Sequence, residues 1–282
     1  MAVMDSPYLG RVATLPTLHR KESVIAPVFQ SELGLEVHVA DIDTDQFGTF
    51  AGEIPRILSP LDSAIAKARA AIARTGVPIA IASEGTIVPN PLIPIASSDF
   101  ESIVFVDNEQ ELVIHESFRS EDIVTARKIF RPGEQLDEFL SKADFPAHGL
   151  IVMTTPNHPV ATVKGIRDKA VLIQAIQDLS LISGSVIVES DLRASFSPSR
   201  MRNIQECARL LARRIATKCP RCSAPGWGSV SPIFGLPCAD CGAYVDTAVM
   251  ADQFGCGKCD HKEISPRAKQ AVAARFCDSC NP

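Results

Sequence analysis

Four C-x-x-C pairs in the last third of the chain constrain it more than any other feature: Cys219/Cys222, Cys238/Cys241, Cys256/Cys259 and Cys277/Cys280. Two residues between cysteines let both thiolates of a knuckle face one ion, and two knuckles complete a tetrahedral four-thiolate zinc site. Eight ligands therefore predict two zinc ions. The knuckles follow one another at roughly 14 to 17 residues (222 to 238, 241 to 256, 259 to 277), the interval of zinc ribbons. Sequential pairing makes two ribbons and interleaved pairing makes a cross-braced module; the spacing is compatible with both. Four thiolates leave no position for a water ligand, so the ions are expected to hold structure and not to activate a nucleophile. Thioredoxin-like redox chemistry uses one such motif after a strand, not four in series. All nine cysteines lie beyond Ser199, which does not suit the disulfide framework of a small secreted chain. The ninth, Cys207, falls near the apolar stripe of a helical segment and reads as a small core residue. His261, just after Cys259, is the alternative ligand to weigh against the cysteines.

Upstream of this region, strand-like apolar runs alternate with amphipathic stretches, the order of an α/β layer. The strands expected are Arg11 to Thr14, Leu35 to Val39, Val77 to Ala82, Ser102 to Asp107, Leu112 to Glu116, Leu150 to Thr154 and Val186 to Glu189. Helical periodicity covers Arg20 to Glu32, Leu61 to Thr75, Glu134 to Ala143 and Asp168 to Leu179. Ile103 to Phe118 reads as a hairpin around Asp107 to Gln110, which makes the sheet mixed. The fold class predicted is therefore α/β: a mixed twisted sheet flanked by helices, with a C-terminal zinc-ribbon-like module. Residues 1–198 are expected to form the α/β domain with a ligand cleft. Residues 199–282 are expected to carry a linking helix and the double zinc module, the helix burying Met201, Ile204, Ala208, Leu211 and Ile215 on one face.

Composition narrows the function. With 282 residues, 46% hydrophobic and 22% charged, the chain suits a globular protein with a substantial core. A net charge of -5 excludes a surface that is wholly a nucleic-acid footprint. The stretch Met1 to Arg11 lacks the pattern of a secretory signal, and no apolar run approaches the roughly 18 residues of a spanning helix, so a cytoplasmic protein without membrane contact is expected. Locally, Arg200, Arg202, Arg209, Arg213, Arg214 and Lys218 crowd the approach to the first knuckle. This run and the zinc module, with Trp227, Phe234, Tyr244 and Phe254, form the candidate surface for a nucleic acid or protein partner.

A second constellation lies near the start. The strand at Arg11 to Thr14 runs into a loop with His19, Arg20 and Lys21 and then a helix, an arrangement that presents backbone N–H groups and cations to a phosphate. Next come Gly48-Thr49-Phe50-Ala51-Gly52-Glu53, the helix bearing Lys67, and the strand ending in Ala82-Ser83-Glu84-Gly85-Thr86. Carboxylates beside glycines at the carboxyl end of a strand suit magnesium holding a substrate phosphate. His148, His158 and Lys164 are further residues that could enter the cleft from the second half.

This ordered series, A-T then a lysine, G-T-F-x-G-E, A-x-x-K-A-R-A-A and G-x-P-x-A-I-A-S-E-G, resembles the inosine triphosphate pyrophosphatase superfamily, which includes Maf-like proteins, over about Arg11 to Thr86. The resemblance implies a metal-dependent hydrolase of nucleotide phosphoanhydrides. In it, Lys21 binds phosphate with Arg20 and His19 beside it, while Glu53, Lys67 and Glu84 are catalytic. The whole chain is more similar to a bacterial family of unknown function that joins such a domain to a four-knuckle region ending in C-x-x-C-N-P. That likeness implies no activity.

Overall fold

The computed structural model describes residues 6–47, 57–89 and 97–281. Its first sheet comes from β1 (Val12–Pro16), α1 (Glu22–Leu33), β2 (Glu36–Ala40), α2 (Pro60–Thr75), β3 (Ile79–Pro89), β4 (Ser97–Asp107) and β5 (Leu112–Ser120), with strand order β2-β1-β3-β4-β5. β1 pairs in parallel with β2 and β3, and β3, β4 and β5 form an antiparallel meander. A second sheet follows, built from β6 (Arg127–Phe130), α3 (Asp137–Lys142), β7 (Leu150–Thr154), β8 (Thr162–Ile166), α4 (Lys169–Ser183) and β9 (Val186–Ser190), in the antiparallel order β6-β9-β7-β8. The long helix α5 (Pro198–Ala216) returns to the first sheet, and β10 (Gly228–Pro237), β11 (Tyr244–Gly255) and β12 (Lys262–Pro266) make an antiparallel ribbon.

The mixed α/β class read from the sequence is the architecture observed, divided between two sheets. The period-two alternation of strands explains how the first is covered. Ile79, Ile81, Ile103 and Phe105 face α1 and α5, whereas Ala80, Ala82, Val104 and Val106 face α2. Small residues on the second face let α2 lie close through Ala64, Ala68 and Ala71. α5 buries Ile204, Ala208, Leu211 and Ile215 in the first core, so its expected apolar face belongs to the α/β body. Ser59 caps α2 by accepting the Asp62 N–H at 3.1 Å, and Gly76, at φ 73°, ends it in the left-handed region.

Every strand and helix expected upstream of the cysteines is present within a few residues, apart from β3, which runs on to Pro89 and does not end at Ala82, and β4, which starts at Ser97 and not Ser102. Two strands were not expected. β6 is four residues with an Arg-Lys start, and β8 contains Gly165, so neither shows a clear apolar alternation. Among the described residues no helix is long and apolar enough to cross a membrane.

Candidate functional site

The eight knuckle cysteines form two tetrads, Cys219/Cys222/Cys256/Cys259 and Cys238/Cys241/Cys277/Cys280, whose sulfur atoms within each set all lie within 4.8 Å of one another. The pairing is interleaved, first knuckle with third and second with fourth. In the first tetrad Sγ–Sγ separations are 3.9 Å (Cys219 to Cys259) and 3.6 Å (Cys222 to Cys256). In the second they are 3.9 Å (Cys238 to Cys280) and 3.7 Å (Cys241 to Cys277). A tetrahedron with zinc–sulfur bonds of about 2.3 Å has edges of about 3.8 Å, so the donor sets fit zinc and are too wide for disulfides. Backbone N–H groups of Cys241 and Asp240 draw the Cys238 thiol down to about 7, while hydrogen bonding with Cys241 pushes Cys280 up to about 12. Four thiolates that close need a cation between them. His261 is not a ligand: its ring stacks on Trp227 at 5.1 Å and its Nε2 meets Glu263 at 2.9 Å.

The β10–β11 ribbon holds the tetrads at its opposite ends, since Gly228 pairs with Gly255 beside the first and Pro237 with Tyr244 beside the second. The first is docked on the body. Arg214 donates to the carbonyls of Gly226 and His115 and pairs with Glu116 at 3.0 Å, and Lys258 donates to the Gln110 carbonyl at 2.6 Å. The second sits in a core of its own, with Leu236, Val245 and Val272 around Cys238 and Cys277.

A different kind of site lies at the carboxyl end of β1. In the order β2-β1-β3, the chain leaves β1 toward one side, through α1 to β2, and crosses back through α2 to β3, so β1 and β3 flank a topological switch point, where open α/β sheets bind ligands. Lys21, at the start of α1, reaches across that gap and donates from Nζ to Ser83 Oγ at 3.0 Å. Among the described residues this neutral hydroxyl is its only hydrogen-bond partner, although the lysine is 8% exposed. Burial lowers its pKa to about 8 against the pull of Glu101 and Glu84. α1 has no side-chain cap at this end, and its Ser23 and Val24 N–H groups are taken instead by the Arg20 and Lys21 carbonyls at 3.2 and 3.1 Å.

The pleat of β3 and β4 sends one ion pair to each face of the sheet. On the α2 face, Lys67 Nζ pairs with Glu84 Oε1, which also accepts from Ser63 Oγ at 3.4 Å. On the α5 face, Arg200 Nε donates to Glu101 Oε1 at 2.5 Å and its Nη1 to the Leu192 carbonyl at 2.8 Å. Gly85 sits opposite Glu101 in the ladder. A Cβ there would come within 2.3 Å of Glu101 Oε1 and 2.4 Å of Arg200 Nη2, so only glycine leaves room for the pair. Beside it, Asn203 Nδ2 donates to Asp99 Oδ2 at 2.9 Å. Burial, first, and the neighbouring Glu101 raise the Asp99 carboxyl to about 7.

The structure thus brings Lys21, Lys67 and Glu84 to one end of the sheet. His19 is half-buried and Arg20 exposed in the same loop, Arg20 at φ 58°. Glu53 and the Gly48 to Gly52 stretch lie outside the described residues. Sequence reading missed Asp99, Glu101 and Ser63. It also placed Arg200 in a surface run, whereas Arg200 is buried against Glu101, and Arg214 is tied to the body. Neither is available to a partner. A usable signal existed: Asp99 and Glu101 share the strand parity of buried Ile103 and Phe105.

Asp144, His148 and Ser199 form a further hydrogen-bonded series, with Nδ1 2.9 Å from Asp144 Oδ2 and Nε2 3.0 Å from Ser199 Oγ. Burial runs opposite to what a nucleophile needs, because Ser199 is fully buried and the Asp144 side chain is 60% exposed. Nε2 accepts the Ser199 N–H, so His148 caps α5. Cys207 is buried in the first core, where desolvation raises its thiol.

One family model, described as a domain of unknown function (DUF6671), matches residues 67–282. No curated protein matches the chain.

Proposed function

The chain belongs to the DUF6671 family, to which no chemistry is assigned, and we propose from its own residues that the carboxyl end of the first sheet binds a nucleotide-like compound and hydrolyses its phosphoanhydride. Lys21 carries the reading: a buried ammonium at the switch point with one neutral partner is a cation poised for an anion. Arg20 and His19 flank it in the loop that leads into α1. The order of motifs shared with the inosine triphosphate pyrophosphatase superfamily supports hydrolysis in particular.

In this mechanism Lys21 stabilises the charge that develops on the leaving phosphate. Glu84, held by Lys67, takes the proton of a water whose oxygen attacks phosphorus as the anhydride P–O bond breaks. The described carboxylates do not build a magnesium site by themselves, because Glu84 Oε1 is held by Lys67 and Ser63 and Glu101 Oε1 by Arg200. No step is therefore assigned to magnesium, and Glu53 is the residue that would have to complete such a site. The tetrads, with all four positions taken by thiolates, would hold the ribbon together and stay outside the chemistry.

The test is release of phosphate or pyrophosphate from common and deaminated nucleoside triphosphates by the full chain, with and without added magnesium. Turnover of at least one is expected, reduced about 100-fold in Lys21→Met and Glu84→Gln. No release from any of them, under either condition, overturns the reading. A second reading, in which the ribbon and α5 contact a nucleic acid or protein, draws on Tyr244 and Phe234, which are 75% and 50% exposed, and on exposed Arg202, Arg213 and Lys218. Nucleic-acid binding through these groups would weaken steeply with salt; no binding at low salt removes that form.

A further inference from the structure

The Asp99–Glu101 pair is not used by the mechanism above, yet it is the most deeply buried acid cluster described. Both side chains are fully buried, and two of their oxygens, Asp99 Oδ1 and Glu101 Oε2, have no hydrogen-bond partner. The remaining oxygens are engaged, Asp99 Oδ2 by Asn203 and Glu101 Oε1 by Arg200. The two carboxyls lie within hydrogen-bonding reach of one another. Two ionised carboxylates in that arrangement would repel each other in a dry site and leave two acceptors unsatisfied. One positive charge between them resolves both problems. A divalent cation suits the position poorly, since the Arg200 guanidinium is already bonded to Glu101 and full burial excludes the waters that magnesium keeps.

We propose that Asp99 and Glu101 share one proton, carried on Asp99 and donated to Glu101, and that the site binds this proton together with a phosphate-class anion at Lys21. The second clause rests on the phosphate reading of the preceding subsection. The groups set against Asp99 are Glu101 on its own strand and Arg200 and Asn203 from α5, while Cys207 of α5 and Lys21 from the start of α1 act on Glu101. With Asp99 neutral, Arg200, Lys21 and Glu101 leave one net positive charge for the incoming anion. Ionising Asp99 cancels it.

The pKa of Asp99 is raised on folding, from its ordinary 3.8 to about 7. The folded chain therefore binds the proton more tightly, and the stability this group confers declines as pH rises from about 4 to about 7. Asn at position 99 copies the protonated carboxyl in shape and can donate to Glu101 at every pH.

Three measurements on the full chain test this. Infrared spectra of the wild type should show a buried protonated carboxyl at pH 6 that titrates near pH 7 and is missing from Asp99→Asn. Between pH 6 and 8.5 the wild type should lose about 5 °C in Tm relative to Asp99→Asn. Inorganic phosphate should bind the wild type about 10-fold more weakly at pH 8.5 than at pH 6, beyond the loss seen in Asp99→Asn, which retains the contribution of Lys21. No protonated-carboxyl band at pH 6 overturns the shared proton, whether or not the variant folds. So does stoichiometric uptake of magnesium or calcium that Asp99→Asn abolishes. The band without phosphate binding at any pH supports the shared proton and overturns the coupling and the phosphate reading together. Phosphate binding whose pH dependence matches that of Asp99→Asn overturns the coupling alone.

Discussion

The cysteine ribbon and the charged end of the first sheet both gather reactive groups in a small volume, but by opposite means. In the ribbon, each pair of ligands is fixed by local chain geometry, two residues apart, and the ligands are all of one type. At the sheet end, Lys21, Lys67, Glu84, Glu101 and Arg200 come from five elements, with Lys67 and Arg200 meeting carboxylates and Lys21 a hydroxyl. The ribbon therefore offers two donor sets for an ion that the chain does not encode, whereas the sheet end depends on the whole body being folded. Structure and candidate chemistry are separated within one chain.

Metal removal should expose the largest difference. Structural zinc sites contribute about 10 kcal/mol or more of apparent folding free energy. A strong chelator is expected to unfold residues 218–281 and leave the α/β body intact, as read by limited proteolysis and the far-ultraviolet spectrum. If the body melts together with the ribbon, the two regions are one cooperative unit. Glu101→Ala should cost the body about 3–5 kcal/mol, because it strands the buried Arg200 guanidinium, without altering zinc content. Denaturant unfolding paired with metal analysis checks both halves of that statement.

Lys21→Met should move in the other direction. The pKa of Lys21 is lowered on folding, so its buried charge opposes folding fully below about pH 8 and progressively less as pH rises toward 10.5. Its replacement is expected to stabilise the chain by about 2 kcal/mol at neutral pH while abolishing phosphate binding, the trade expected of a functional residue. A destabilised variant would make Lys21 a structural residue instead. Ser59→Ala, which only uncaps α2, should cost about 1 kcal/mol and leave both regions otherwise unchanged in thermal unfolding.

These two regions were unequally legible in the sequence. Two-residue spacing writes a zinc knuckle directly into the chain, so all eight ligands could be read, but which knuckles meet is decided by the ribbon and had to be seen in space. The strands of the first sheet were readable because their centres are runs such as Ile79 to Ala82 and Ile103 to Val106. The polar start of β4 was not, since Ser97 to Ser102 carries no apolar alternation although Ser98, Asp99, Glu101 and Ser102 are buried. Lys21, Lys67 and Glu84 were singled out from the order of motifs. Arg200 was misplaced because, on a helix crowded with arginines, nothing in the sequence distinguishes the one that turns inward.

Interleaving also bears on how the chain is made. Within each tetrad, facing sulfurs are 34 to 42 residues apart in sequence. During synthesis from the N-terminus, Cys219 and Cys222 emerge first, and Cys238 and Cys241 reach the solvent before either correct partner exists. Those four thiols are a complete ligand set for the wrong ion site. In the folded ribbon β10, ten residues that span roughly 30 Å when extended, keeps them apart through its pairing with β11. Shortening that strand should favour a sequentially paired form.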